Sequence, residues 1–532
     1  MADIRHSAPA IGDKLESGGT AASVTRRQKL LTAIYFLLIS TMMIGLCSRS
    51  SPLYPFNNWN DANCFFTTGK AMFSGKVVYR DIYEQKGILL YFLYGLCYLV
   101  SSKTFLGVYI LEVLCLTGFL ALAYDTALLF LRRRTALILM PIIAAVLCGS
   151  YSFYLGGSVE ELELALVYLP IYYMLKSYFK NGECIPSPRG IFILGASAAC
   201  LLWSKFTLLG IYIGYVLFTA VLLIKRRDWK RLGRAAGLFA CGAAAASLPW
   251  IIYFAVNNAF GDMFTVYFYN NLFLYAVEKS LFKYLFFLGG AFYQNMLFLV
   301  IAIIGAVAVI RSKYAPEFKW GMFSLYFGNV FFIYVGGIAF EYYAYGMASL
   351  SVFGFIVLAE KAEKLGDARR EKGLKRPGSW GFAVLAAATL LCAAGFAYCV
   401  SFNSFYMKQD RDELWLKRFA DEIAQSEEQT LLNYGSLDLG LYTETGIVPV
   451  TRFFCKLNIP LDEMFDEMNE AVRTRKTEWL VCYASFEDNE LINENYDLVC
   501  KASGFEKKDD DLEEYCLFRR KSAYHQLTRA HA

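Results

Sequence analysis

Apolar and polar positions fall in long blocks along this 532-residue chain, not in the short alternation of a sheet protein. Mostly apolar runs occupy residues 30–48, 105–131, 135–151, 162–179, 190–204, 207–224, 235–256, 284–310, 320–337, 345–360 and 381–402. Most approach the ~20 residues that a helix needs to cross a bilayer. A shorter run, Gly87–Val100, is flanked by Lys86 and Lys103, and whether it spans sets the whole topology. Basic residues arbitrate. "TRRQK" before the first run, "RRR" at 132–134, "KRRDWKRLGR" at 225–234, "RSK" at 311–313 and "EKAEKLGDARREKGLKRP" at 360–377 all belong on the cytoplasmic side. They share that side only if Gly87–Val100 lies in the outer interface.

The pattern therefore predicts a polytopic α-helical membrane protein with about 11 transmembrane helices, a cytoplasmic N-terminus and an extracytoplasmic C-terminus. Residues 1–28 read as a disordered cytoplasmic segment and 29–402 as the transmembrane domain, with a first outer loop at 49–104. The other outward loops are 152–161, a turn near Ser204–Lys205, 257–283 and 338–344. Residues 403–532 have soluble composition. There "DELWLKRFADEIAQ" and "LDEMFDEMNEAVRTRK" read as amphipathic helices, and "QTLLNYG", "EWLVCYAS" and "EYCLFRRK" as strands. The expectation is a small C-terminal extracytoplasmic α/β domain.

Composition supports the membrane class, since 57% of residues are hydrophobic and only 19% charged. The net charge of +5 is concentrated in the basic loops, which excludes a nucleic-acid partner. Fourteen cysteines include no C-x-x-C pair, removing zinc-ribbon and thioredoxin readings. Cys455, Cys482, Cys500 and Cys516 lie in the tail, where a disulfide is allowed but not demanded. The three histidines, His6, His525 and His531, all sit in the tails, so acid–base chemistry falls to carboxylate, lysine or tyrosine.

The outward loops hold the candidates. Asp61 lies early in the first loop, and "GGSVEELE" puts Glu160 and Glu161 at the mouth of the next hairpin. Carboxylates at a membrane boundary have raised pKa values that suit a general base, although acids opening a helix also simply complement its dipole. Arg80 and Lys86 sit in the first loop and Lys279 and Lys283 in the fourth. Lys205 interrupts the apolar "LLWSKFTLLG", where a lone lysine either snorkels or acts as a counter-ion for a lipid phosphate. The aromatic stretches "VYFYNNLFLY" and "FEYYAYG" suit an interfacial belt or a groove for a sugar and an isoprenoid chain.

The first span, the outer loop with its early Asp, and "GKVVYRDIYEQKGILLY" at 75–91 followed by an interfacial helix resemble the GT-C glycosyltransferase superfamily. The likeness is to bacterial relatives of the protein O-mannosyltransferases and lipid A aminoarabinose transferases, and it covers about residues 30–400. Two positions depart from it: "KGI" at Lys86–Ile88 replaces K-P-P or H-P-P, and Glu341 stands where the Tyr-rich turn often has histidine.

The resemblance implies transfer of a sugar from a polyprenyl-phosphate donor to a cell-envelope glycan, glycolipid or protein acceptor on the outer face of the plasma membrane. It implies Asp61 as catalytic base and Glu160 or Glu161 as the second acid, with Lys86, Arg80 and Lys205 on the donor phosphate. Tyr79, Asp81, Tyr342 and Tyr343 would line the substrate groove. The expectation is that Asp61, the two glutamates and Lys205 share one pocket. No metal ligands are assigned and no cofactor is identified, and the outer carboxylates leave a divalent cation open. The alternatives are a transporter or flippase of lipid-linked sugars, which would place its site on broken midplane helices in paired repeats, and a non-catalytic anchor for the tail.

Overall fold

The computed structural model describes residues 25–275, 280–371, 378–504 and 513–521. The expected N-terminal segment up to residue 24, Lys279 and all three histidines lie outside the described residues. Six described helices are long and apolar enough to cross a membrane: Arg26–Cys47, Leu106–Ala127, Phe206–Lys225, Trp229–Val256, Glu341–Arg369 and Ser379–Val400. The protein is thus multi-pass, but the expected count of about eleven is not confirmed. Pro141 interrupts the 16-residue helix Arg133–Cys148, and Pro170 lies inside Leu164–Asn181. Pro188–Leu202 is too short.

The run at 284–310, expected as one span, is two helices. Leu281–Gln294 and Met296–Arg311 meet at a bend of 105°. Asn295 makes the break: its amide donates to Ala291 O (3.0 Å) and its Oδ1 accepts from Ser152 N (3.0 Å). A side chain that bonds backbone in this way replaces part of the helical ladder.

The chain forms two compact units. The first comprises residues up to Ser48, Ile110–Leu248 and Val277–Ser404. Its tightest helix pair is Gly210–Lys225 against Pro316–Ile333, and the sequence "GIYIG" explains it. A methyl on Gly210 would stand 2.2 Å from Gly328 O, and one on Gly214 2.2 Å from Ser324 O. Small residues four apart let the two backbones touch, and the Ser324 hydroxyl adds a bond to Gly214 O (2.8 Å).

The second unit comprises Arg49–Tyr109, Pro249–Ala276 and the residues from Phe405 onward, so the loop at 49–104 folds with the C-terminal tail. Helix Asn60–Phe73 packs on Ile88–Val100 with Gly69 against Gly95. At 13 residues and about 1.5 Å per residue, Ile88–Val100 is about 20 Å long, short of a ~30 Å hydrocarbon core.

The tail carries a four-stranded sheet of β1 (Leu431–Asn433), β2 (Trp479–Tyr483), β3 (Tyr496–Ser503) and β4 (Glu514–Arg520), ordered β1-β2-β4-β3. β1 and β2 are parallel, joined through helix Asp462–Arg473, and the other pairs are antiparallel. Buried polar bonds seat the tail on the loop helix. Thr67 donates to Asp438 Oδ2 (2.7 Å), Lys70 Nζ to Tyr442 O (2.6 Å) and Thr443 to Asn63 Oδ1 (2.8 Å).

Candidate functional site

Asp61 sits in the first turn of helix Asn60–Phe73, where the helix dipole favours an anion, and is half-buried. The motif at 75–91 folds into a tight loop that ends at Lys86. Tyr79 has φ 72° and an Ile82 O partner for its amide (2.8 Å), and Asp81 N closes on Val77 O (2.8 Å). Tyr79 does not line an open groove. It is fully buried, stacked on Phe254 and Tyr267, and its hydroxyl donates to Lys86 O (2.7 Å).

The Lys86 amide donates to Glu84 Oε2 (2.9 Å) and to the Tyr91 hydroxyl (2.7 Å). These contacts fix the backbone at Lys86 and leave its half-buried ammonium within electrostatic reach of Glu84. Burial pushes the Glu84 carboxyl up, the Lys86 charge opposes that rise, and the Asp61 charge adds to it. The Tyr275 phenol is likewise raised by burial and senses Lys86, Asp61 and Glu84 together. Arg80 and Asp81 are mainly occupied with each other (2.8 Å), and Arg80 also donates to Asn257 O (2.8 Å). The Arg80 guanidinium holds the Asp81 carboxyl below its ordinary value.

Other supports of this loop were missed from sequence. Asn270 donates to the Tyr83 hydroxyl (3.0 Å), and Asn271 to Gln85 O (2.7 Å). Both lie on Phe264–Leu274, a widened helix with i→i+5 bonds of the kind often found at functional sites. The signal was the "NN" pair inside an aromatic run, which read only as a belt or groove. Arg452 of the tail also grips the loop, donating through Nε to Tyr79 O (3.2 Å), and its carbonyl accepts from Tyr83 N (2.9 Å).

The second-loop residues belong to the other unit, so Asp61 lies in one unit and Glu160, Glu161 and Lys205 in the other. Ser158 caps the short helix Val159–Leu162 by accepting from Glu161 N (3.1 Å). The two glutamates then take different partners. Glu160 pairs with Lys205, and the two are 1% and 7% exposed, a sealed ion pair. The Lys205 ammonium also lies 3.6 Å from the Tyr343 ring centre and 5.0 Å from that of Tyr342, so both rings are buried around the cation. Glu161 accepts from Gly157 N (2.9 Å) and faces Glu112, which Ser48 holds at 2.9 and 3.0 Å. Burial, then the Glu112 charge, raises the Glu161 carboxyl, as expected of two carboxyls sharing a proton.

Among the described residues, no group of three or more His, Cys, Asp or Glu side chains could hold a metal ion.

No protein-family profile matches the chain and no curated protein matches its sequence. Solved structures do. The chain is similar to ArnT from Cupriavidus metallidurans bound to undecaprenyl phosphate, with 12% identity and a TM-score of 0.57 over 93% of this chain and 98% of that one. It is similar also to the apo state of the same ArnT, with 12% identity and a TM-score of 0.60 over 92% and 97%. At this identity the likeness establishes the fold. It is the fold of ArnT, the kind of fold that the resemblance in the sequence led one to expect.

Proposed function

We propose that the chain is a membrane glycosyltransferase that takes its sugar from a polyprenyl-phosphate carrier and passes it to an acceptor at the outer face of the membrane. The observation that carries this reading is the first-loop cluster. A half-buried carboxylate, Asp61, and a half-buried ammonium, Lys86, both act electrostatically on Glu84 and Tyr275, and the backbone at Lys86 is held from several sides. A solved protein of the same fold holds undecaprenyl phosphate.

A sugar esterified to a lipid phosphate already carries its leaving group, so a carboxylate base and a cation are sufficient. Asp61 takes the proton of the acceptor hydroxyl as that oxygen attacks the anomeric carbon. The bond from that carbon to the phosphate oxygen breaks, and its electron pair leaves with the phosphate. Lys86 stabilises the charge that develops there. The displacement is single and inverts the anomeric centre, through a transition state of oxocarbenium character. Burial disfavours the Glu84 charge, so the role of base goes to the half-buried Asp61 and not to Glu84.

The bent pair at Asn295 is the feature a transporter reading would draw on. One assay separates the two. Purified protein in nanodiscs is given polyprenyl-phosphate sugar and an envelope extract, and loss of sugar from the lipid is followed. Reconstituted vesicles are followed in parallel for movement of intact donor. Movement without cleavage overturns the transferase.

A further inference from the structure

Cys64 and Cys455 lie 391 positions apart, yet their sulfurs are 3.7 Å from each other inside the second unit. They are 1% and 2% exposed. Cys64 is on helix Asn60–Phe73, one turn beyond Asp61, and Cys455 lies in the tail between helices Leu441–Thr445 and Asp462–Arg473. Two sulfurs at that distance are in van der Waals contact and can close to the ~2.05 Å of a disulfide with small side-chain motion. Around them, the bonds from Thr67, Lys70 and Thr443 already join the same helix to the tail. A covalent link here would complete a joint that the fold has built.

We propose that Cys64 and Cys455 form a disulfide that ties the helix bearing Asp61 to the C-terminal domain. The inference rests on the reading that places this unit outside the cytoplasm, where thiols meet oxidants and disulfides persist. Both thiols are sealed in the finished fold, so the bond forms while the tail is docking. One thiolate attacks the disulfide of an exported dithiol–disulfide oxidant and gives a mixed disulfide. The second thiolate displaces it, creating the Cys64–Cys455 bond. The two thiols lose two protons and two electrons, and the oxidant leaves as its dithiol.

The test uses the full chain in native membranes. Membranes are quenched in acid, free thiols are blocked with N-ethylmaleimide, and the protein is digested without reductant for mass spectrometry. The expected product is a linked pair of peptides containing Cys64 and Cys455, distinct in mass from any product of Cys482 and Cys516, which oppose each other on β2 and β4. Maleimide on both Cys64 and Cys455 overturns the proposal. A parallel chain carrying Asp488→Cys at an exposed tail position is treated in intact cells with a membrane-impermeant maleimide. If that site labels while Cys64 and Cys455 are blocked thiols, the disulfide fails and the outward topology stands. If it does not label, both fail.

Discussion

The protein holds two clusters of opposite charge that answer the same sequence pattern in different ways. In the first loop, Asp61 and Lys86 remain half-buried, and the surrounding bonds are made largely by backbone groups and by Tyr79, Asn271 and Arg452. In the second loop, Glu160 and Lys205 are sealed against each other beneath Tyr342 and Tyr343, and Glu161 is turned to Glu112. A half-buried charge keeps contact with solvent. A charge consumed by a buried partner holds structure, because separating it costs more than its chemistry returns. Under the proposed function, the contrast puts the proposed chemistry in the first cluster and leaves the second to hold structure.

The largest expected effect tests the first half of that contrast. Asp61→Asn keeps the shape and removes the base, and should lower sugar transfer by about 10²–10⁴-fold with an unchanged melting temperature. Full activity in a folded Asp61→Asn protein breaks the comparison. The second half predicts stability loss instead. Lys205→Met alone strands Glu160 in an apolar setting and should cost about 3–5 kcal/mol, seen as a large fall in melting temperature. Combining it with Glu160→Gln should recover most of that loss. A stable Lys205→Met protein with abolished transfer would move Lys205 into the chemistry.

The helices were legible because a span is written in some twenty consecutive residues, and the observed helices start and end close to the apolar runs, as with 207–224 and Phe206–Lys225. The break at Asn295 was not, since the pair Gln294–Asn295 in a long apolar run does not disclose whether an amide will turn back on the backbone. In the tail, the runs around β1, β2 and β4 were readable from their apolar positions. β3 was missed because "YDLVCKAS" is an edge strand with only Tyr496 buried, and it carries no hydrophobic signature. At the site, residue types pointed to the acids and lysines, but the partner of each did not follow from spacing. Glu160 and Glu161 are adjacent and point to different neighbours, a consequence of the 100° turn between successive helical residues.

A smaller effect isolates the support of Lys86. Tyr79→Phe removes only the hydroxyl that bonds Lys86 O, a net loss of about 0.5–1.5 kcal/mol in stability. Because that bond fixes the backbone carrying the cation, transfer should fall several-fold in kcat with little change in KM. An equal fall after Tyr342→Phe, in the sealed cluster, would erase the distinction between the two regions.

The smallest effect concerns Glu84, the buried acid near half-buried Asp61 and Lys86. Burial raises its carboxyl above the ordinary 4.5, so the folded protein binds its proton more tightly than the unfolded chain does. Such a group contributes most below the unfolded value and its contribution declines as pH climbs through the interval up to the folded value. Glu84→Gln keeps an oxygen to accept from Lys86 N and removes the titration. Relative to the parent, the variant should therefore gain stability as pH rises above the ordinary carboxylate value, read as a melting-temperature difference that grows with pH. Because the nearby Lys86 charge offsets part of the burial cost, the gain should grow in a Lys86→Met background. If it shrinks there, Glu84 and Lys86 are not coupled, and the first cluster loses the electrostatic unity on which its assigned reactivity depends.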